Sequence, residues 1–382
     1  MAVLEASTRP KIELSGASGI SPRGERLRHR REYILDERGK EALNSRVDGI
    51  ITHGKKDLIK DGELEPYFAK FNSEALLTSL PHGVTEEDAR GIFWLSVLTE
   101  AATDTYAAEF HRSAIEHGQP WLKRFTTELW TPDEYSHRIP HKEALIHLGV
   151  AESEVDIEMK HAQDRAYTHV DGFSPIELTT FGMAQESVTH DWYTAIYNMM
   201  KKSNPEAARA FARVGQRENL HKLYYRDMTA AQLEANPGLL PQVVGTLATF
   251  VMPAQEIAPK YYAEHDRWVA AIGDNESIVR NVTRYAAEAA GNPKRAGELV
   301  IEMADQKGIK LGPIPPQVVH AAFNVLSPVG GFGYGLVGEA LLKKIGMEDL
   351  YKKRENPSGD KSKDVGYIRG IITSWIADQM PF

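Results

Sequence analysis

From about Val84 to Met252, alanines, leucines, glutamates and aromatic residues recur at three- and four-residue spacings, and alternating β-branched runs are hard to find anywhere in the chain. Helices of that kind are stable only when each buries its apolar stripe against other helices. An all-α fold is therefore predicted. Three helix starts are well marked. Thr85-Glu86-Glu87-Asp88 puts a capping threonine before acidic first-turn residues. Ser174-Pro175-Ile176-Glu177 and Ser203-Asn204-Pro205-Glu206 combine a capping residue, a first-turn proline and a glutamate. Three regions are expected: an arm and first helix over 1–60, a helical core over 61–252, and helices and loops over 253–382 packed on the same domain. Further helices are predicted at 254–270, 275–290, 294–307 and 334–353, with loops at 308–333 and 355–366.

The chain of 382 residues has no cysteine, which removes disulfides, thiolate zinc sites, iron–sulfur clusters and cysteine nucleophiles. Any metal must sit on carboxylates and imidazoles, and 14 histidines are available. The formal net charge of -8 argues against nucleic acid as a partner, because phosphate binding needs clustered Lys and Arg. The longest apolar stretch, about Leu239 to Met252, is interrupted by Pro241 and Gln242 and is too short for a membrane span, which takes roughly 20 apolar residues. Residues 1–30 carry Glu5, Glu13 and Glu25 and lack the apolar segment of a secretory signal, so the expected location is the cytoplasm, or a plastid if they form a transit peptide. A basic run at Arg23, Arg26, Arg28, Arg30 and Arg31 reads either as a solvated arm or as a landing site for an acidic protein.

Two Glu-x-x-His pairs carry the chemistry: Glu134 with His137, and Glu218 with His221. Residues three apart share a helix face, so each pair can offer a carboxylate and an imidazole to one metal. A ferritin-like four-helix bundle that holds two irons also needs a lone glutamate from each of two other helices. Glu100 lies upstream of the first pair and Glu186 upstream of the second, each at an interval of about thirty residues, with a longer interval between the two halves that suits a crossover connection. Phe93, Val97, Thr103 and Ala107 share the face of Glu100; Met183, Thr189 and Tyr193 share that of Glu186; Val214 and Tyr225 share that of Glu218. Carboxylates on such inward faces repel one another unless cations lie between them. Two plainer readings stay open at this point. Glu134 can close a capping box begun at Thr131, and Glu218 with His221 can lie on a solvated face beside Arg217 and Lys222.

At these residues the chain resembles the soluble acyl-carrier-protein desaturases. Thr99-Glu100-Ala101-Ala102-Thr103-Asp104-Thr105-Tyr106 is similar to that family's Thr-Glu-Glu-Ala-x-x-Thr-Tyr segment. Trp130-Thr131-Pro132-Asp133-Glu134-Tyr135-Ser136-His137 is similar to its Trp-Thr-Ala-Glu-Glu-Asn-Arg-His motif, and Gln185-Glu186-Ser187-Val188-Thr189 to its Gln-Glu-Arg-Ala-Thr motif. Glu218-Asn219-Leu220-His221 takes the place of Asp-Glu-x-x-His. The resemblance covers roughly residues 85–230. It implies a ferritin-like bundle with flanking helices, about eleven in total, usually as a homodimer. It implies two iron ions, cycling between ferrous and ferric, held by Glu100, Glu134, His137, Glu186, Glu218 and His221, with O2 as co-substrate, beside a bent hydrophobic channel. It further implies electrons from ferredoxin and an acyl chain delivered by acyl carrier protein, with Thr189 in the place of a threonine that assists oxygen activation.

Trp130, Asp133, His190 and Arg217 are candidates for the shell behind the ligands, and Arg28, Arg30, Arg31, Lys201 and Lys202 for the acidic partner's landing site. Arg217 stands where the family has an aspartate that accepts a hydrogen bond from a ligand histidine, and an arginine cannot accept it. Rival readings are a diiron hydroxylase or N-oxygenase acting on a biosynthetic intermediate, supported by Arg217 and His190, and a non-catalytic ferritin-like metal-binding protein. Gly333-Tyr334-Gly335-Leu336-Val337-Gly338 spells G-x-G-x-x-G, but no strand precedes it as a dinucleotide site requires.

Overall fold

The computed structural model describes residues 33–273, apart from 166, 168, 241, 244–245, 247–249 and 251, together with residue 289. Among the described residues every regular element is helical, as the periodicity requires. In chain order these are α1 (Glu37–Gly54), α2 (Ser73–Thr78), α3 (Glu86–Ala101), α4 (Thr103–Glu116), α5 (Pro120–Phe125), α6 (Thr131–His137), α7 (Ile139–His147), α8 (Glu152–Asp164), α9 (Pro175–Met200), α10 (Pro205–Ala235), α11 (Ala254–Ile257), α12 (Pro259–Tyr262) and α13 (His265–Ile272).

The marked helix starts form, with one exception. At α3 the Thr85 hydroxyl accepts the Asp88 N–H at 3.2 Å while Asp88 Oδ2 accepts the Thr85 N–H at 2.8 Å. At α9 the Glu177 carboxylate accepts the Ser174 N–H at 2.8 Å, with Pro175 in the first turn. At α10 Pro205 opens the helix, but the Asn204 side chain does not cap it. Its amide instead accepts the Asn72 N–H at 2.6 Å and donates to the Asn72 carbonyl at 3.1 Å, tying the α9–α10 turn to the start of α2.

The long runs are segmented, and the breaks have local causes. Ala102, at φ -86 and ψ 10, separates α3 from α4 two residues after Glu100. Gly118, at φ +59, turns the chain from α4 toward α5; an L side chain is strained in that left-handed region. A wide π turn, Thr126–Trp130, joins α5 to α6, with the Thr131 N–H reaching back to the Thr126 carbonyl. Pro132 follows directly, and it has no N–H for the Glu128 carbonyl that a regular helix would assign to it. Pro140 does the same to Ser136, and the chain bends at Arg138 between α6 and α7. The helix expected over 254–270 is three short ones, because Ala258 precedes Pro259 and takes an extended-side conformation, φ -127 and ψ 53.

Helices α9 and α10 pack along their length, with α1 against α10 and α7 and α8 against α3. Gly182 permits the closest approach of the long pair: a Cβ there would sit 2.7 Å from two ring atoms of Tyr225. Helix α13 is pinned to the start of α3, where Asp88 accepts from the Trp268 indole at 3.0 Å and from Arg267. The predicted arm over 1–30, the helices and loops from 275 onward and the Gly333–Gly338 motif lie outside the described residues, residue 289 aside.

Candidate metal centre

Four helical segments deliver the predicted residues to one place. Glu100 comes from the last turn of α3, Glu134 and His137 from α6, Glu186 from the middle of α9, and Glu218 and His221 from the middle of α10. All six are buried. The plainer readings fail on the same geometry. The Thr131 hydroxyl makes no hydrogen bond, so Glu134 closes no capping box, and Glu218 with His221 faces inward rather than toward water.

The centre of the cluster is Glu134, His137, Glu218 and His221, whose ligand atoms all lie within 4.8 Å of one another and which could hold a metal ion. His137 Nδ1 is 3.0 Å from Glu134 Oε2 and 3.0 Å from Glu218 Oε1. His221 Nδ1 is 2.7 Å from Glu134 Oε1 and 4.0 Å from Glu218 Oε2. Both glutamates thus touch both imidazoles. Yet His137 Nδ1, His221 Nδ1, Glu134 Oε1 and Glu218 Oε2 make no hydrogen bond, although buried polar atoms normally do. Carboxylate oxygens and imidazole nitrogens converging this closely, with poor hydrogen-bond alignment, fit a cation between them. Glu100 and Glu186 flank this centre and line the same small cavity as Glu134 and Glu218, with Thr99, Thr103, Tyr106, Trp130, Gln185 and Thr189. The charged groups acting on Glu100 are Glu134, His137 and Glu186; those acting most strongly on Glu186 are Glu218, Glu134 and His221. By the charges that act on them, Glu100 belongs with His137 and Glu186 with His221, two poles of the cluster, and Glu134 acts on both.

Electrostatics describe what the cluster does without a cation. Burial, then repulsion from Glu134, pushes the Glu100 carboxyl up to about 8. Burial, opposed by His137 and reinforced by Glu134, raises Glu218 to about 7. Glu186 is raised well above the usual range by burial and by Glu218 and Glu134. Burial acts on Glu134 in the same sense, but His137 and His221 outweigh it and hold that group at about 2. Burial likewise opposes a charged His221, and Glu134 and Asp133 overcome it to raise the ring to about 9. Protons thus stand in for the missing positive charge, and a metal ion would displace them.

The residues behind the ligands are placed as follows. Trp130 donates its indole N–H to Glu186 Oε1 at 3.4 Å. Thr189 donates to Glu186 Oε2 at 3.2 Å and lines the cavity. Asp133 Oδ2 lies 2.8 Å from His221 Nε2 and accepts from Arg217 Nε at 2.7 Å. Arg217, fully buried, also donates to the Gly54 carbonyl at 3.3 Å and to Asp57 at 3.4 Å. It contacts neither ligand histidine; it holds the aspartate that orients one of them. His190 is not behind the ligands. It sits at the edge of α9, partly exposed, with Nδ1 3.1 Å from Asp191 Oδ1. It stands about 40° round the helix from Glu186, on the side away from Thr189.

Lys201 and Lys202 are exposed in the α9–α10 turn, and Lys201 Nζ donates to Asn198 at 2.7 Å. That turn is roughly 20 Å along α9 from Glu186 at the helical rise per residue. Arg28, Arg30 and Arg31 lie outside the described residues. Two residues of the centre carried no assigned role in the sequence reading. Tyr193 donates to Glu100 Oε1 at 3.0 Å and to the His137 carbonyl at 3.1 Å; its position two turns after Glu186 was the available signal. His141, one turn after His137, is fully buried among Phe93, Tyr193 and Phe211 with neither ring nitrogen bonded. Burial, then the neighbouring His137, lowers its pKa to about 3, so it is neutral.

Compared with known proteins, the chain matches no family model and no curated protein. No helix among the described residues is long and apolar enough to cross a membrane.

Proposed function

We propose that the protein is a diiron, O2-dependent oxidoreductase on a ferritin-like bundle, and specifically a desaturase of an acyl chain carried on acyl carrier protein. The observation that carries the metal reading is the unbonded convergence of Glu134, His137, Glu218 and His221, flanked by Glu100 and Glu186 on one cavity. Four carboxylates and two imidazoles suit two ferrous ions, one at each pole. Bound there, the irons would supply the reduction of O2 and the removal of hydrogen from an unactivated carbon. The desaturase reading within that class rests on the motif resemblance over residues 85–230.

The chain's own part is to bind, orient and exclude water. Glu134 and Glu218 would bridge the ions; Glu100 with His137 and Glu186 with His221 would close the two ends. Trp130 and Thr189 hold the Glu186 carboxylate, and Thr189 lines the cavity beside it. Tyr193 holds Glu100. Acyl carrier protein, ferredoxin and a second copy of the chain are the partners that go with this reading. The rival reading is a diiron hydroxylase or N-oxygenase, which the same cluster would serve; of the two residues that suggested it, Arg217 pairs with Asp133 and His190 lies beside Asp191.

The test is reconstitution of the full chain with ferrous iron under anaerobic conditions, then ferredoxin, O2 and a panel of acyl-carrier-protein substrates, read by mass spectrometry. A product lighter by two hydrogens is expected. A product heavier by one oxygen would transfer the protein to the rival class. Glu134→Ala and Glu218→Ala are expected to lose iron, and full iron in both would remove the site assignment.

A further inference from the structure

The two poles of the centre are not equally built. At the Glu186–His221 pole, the imidazole has Asp133 at 2.8 Å from Nε2, and that aspartate is itself gripped by the buried Arg217. The carboxylate of the same pole receives two donors, Trp130 and Thr189. At the Glu100–His137 pole, His137 Nε2 is buried and makes no hydrogen bond. Glu100 receives the single Tyr193 hydroxyl, sits two residues before the helix break at Ala102, and is the most exposed of the six at 8 % against 1 % for Glu186. Asp133 does not serve both rings: its Oδ2 takes His221 and Arg217, and its Oδ1 is unbonded.

A hydrogen-bond partner on the far nitrogen fixes a ligand imidazole's tautomer and direction and raises its basicity, and losing one typically costs about 10–100-fold in metal affinity. His221 has its far nitrogen held by Asp133 before any metal arrives; His137 has no such partner. From these differences we infer that the centre loads in sequence. The Glu186–His221 pole takes a divalent first-row cation tightly and first. The Glu100–His137 pole takes the second at least about 10-fold more weakly and exchanges it. The inference rests on the binuclear reading above and concerns which half of it holds.

Titration of the metal-free full chain with Co2+ under anaerobic conditions tests it, followed by calorimetry and by the visible absorption of bound Co2+. Two steps of one equivalent each are expected. His221→Ala removes the tight step and leaves a weak one, His137→Ala leaves the tight step, and Asp133→Asn weakens the tight step by about 10–100-fold. Asp133→Asn also disturbs Arg217, so the two histidine variants, checked for fold by circular dichroism, decide the matter if that variant melts early. Two equivalents binding as one class, or a tight step lost in His137→Ala and kept in His221→Ala, would overturn the inference. Absence of any bound metal would overturn the binuclear reading and this one together. A single equivalent kept by His137→Ala and lost by His221→Ala would overturn the binuclear reading and the order of loading with it, leaving one ion at the Glu186–His221 pole.

Discussion

Arg217→Met tests the least expected contact in the molecule. Methionine keeps the apolar stem of the arginine and removes its charge. The guanidinium it deletes is fully buried and pairs with Asp133 at 2.7 Å, a side chain that is itself 0 % exposed. Removing one member of a buried ion pair leaves an uncompensated charge and costs about 3–5 kcal/mol. Two facts move the expectation to the lower end. Asp133 keeps His221 Nε2 at 2.8 Å, and the bond to Asp57 contributes little because that carboxylate is 62 % exposed. A loss of about 3 kcal/mol is expected, or a Tm lower by about 4 °C in a chain of 382 residues. The assay is urea unfolding of the metal-free protein, since a bound metal would stabilise the folded state and mask the change. Asp133→Asn alone and the double variant complete a cycle. The double variant should cost less than the sum of the two single changes, because no buried charge is then left alone. A loss under about 1 kcal/mol in Arg217→Met, with Asp133→Asn costing the same in either background, would refute the claim that Arg217 exists to hold Asp133.

Gly182→Ala places a methyl carbon 2.7 Å from Tyr225 Cε2 and Cζ. Overpacking of about 1–3 kcal/mol, less about 1 kcal/mol of helix propensity gained, should leave a net loss of up to about 2 kcal/mol in urea unfolding. Asp88 is held well below the usual carboxylate range by the Arg267 guanidinium, despite partial burial, with help from Thr85 and Trp268. Because its folded value is depressed, its contribution is present above the ordinary aspartate value of about 3.9 and is lost as pH falls from there toward the folded value. Hydrogen-exchange protection across His265–Ile272, relative to the unfolded chain, should therefore fall as pH drops below about 4 in the parent, and should be low already at neutral pH in Asp88→Ala. His190→Ala should change stability by less than about 0.5 kcal/mol and leave metal stoichiometry unaltered; a loss of one equivalent would put His190 back at the centre.

The helix class and the six inward residues were legible because they depend on spacing along single helices. Glu134 and His137, three apart on α6, share a face whatever the rest of the chain does, and the same holds for Glu218 and His221 on α10. The supporting contacts were not legible, because they join residues that sequence order does not relate. Asp57 and Gly54 meet Arg217 from beyond the end of α1 and its last residue, and nothing in their neighbourhood announces it. Arg217 was read as a lost acceptor for a histidine; the structure supplies the acceptor for His221 from Asp133 on another helix and makes Arg217 its anchor. The helix breaks were half legible. Pro132, Pro140 and Pro259 each mark one, whereas Ala102 has nothing in its side chain to show that α3 ends beside it.

The wide turn at Thr126–Trp130 holds one residue more than an ordinary helical turn. The apolar face of α5, with Trp121, Leu122 and Phe125, and the ligand face of α6, with Glu134 and His137, are therefore counted from separate origins. Chain length in those five residues is a dial between them. Losing one residue there would turn α5 by about 100° relative to α6 while leaving the three-residue spacing of Glu134 and His137 untouched. A deletion there would therefore swing Trp121, Leu122 and Phe125 out of the core while the spacing of the ligand pair stayed as it is.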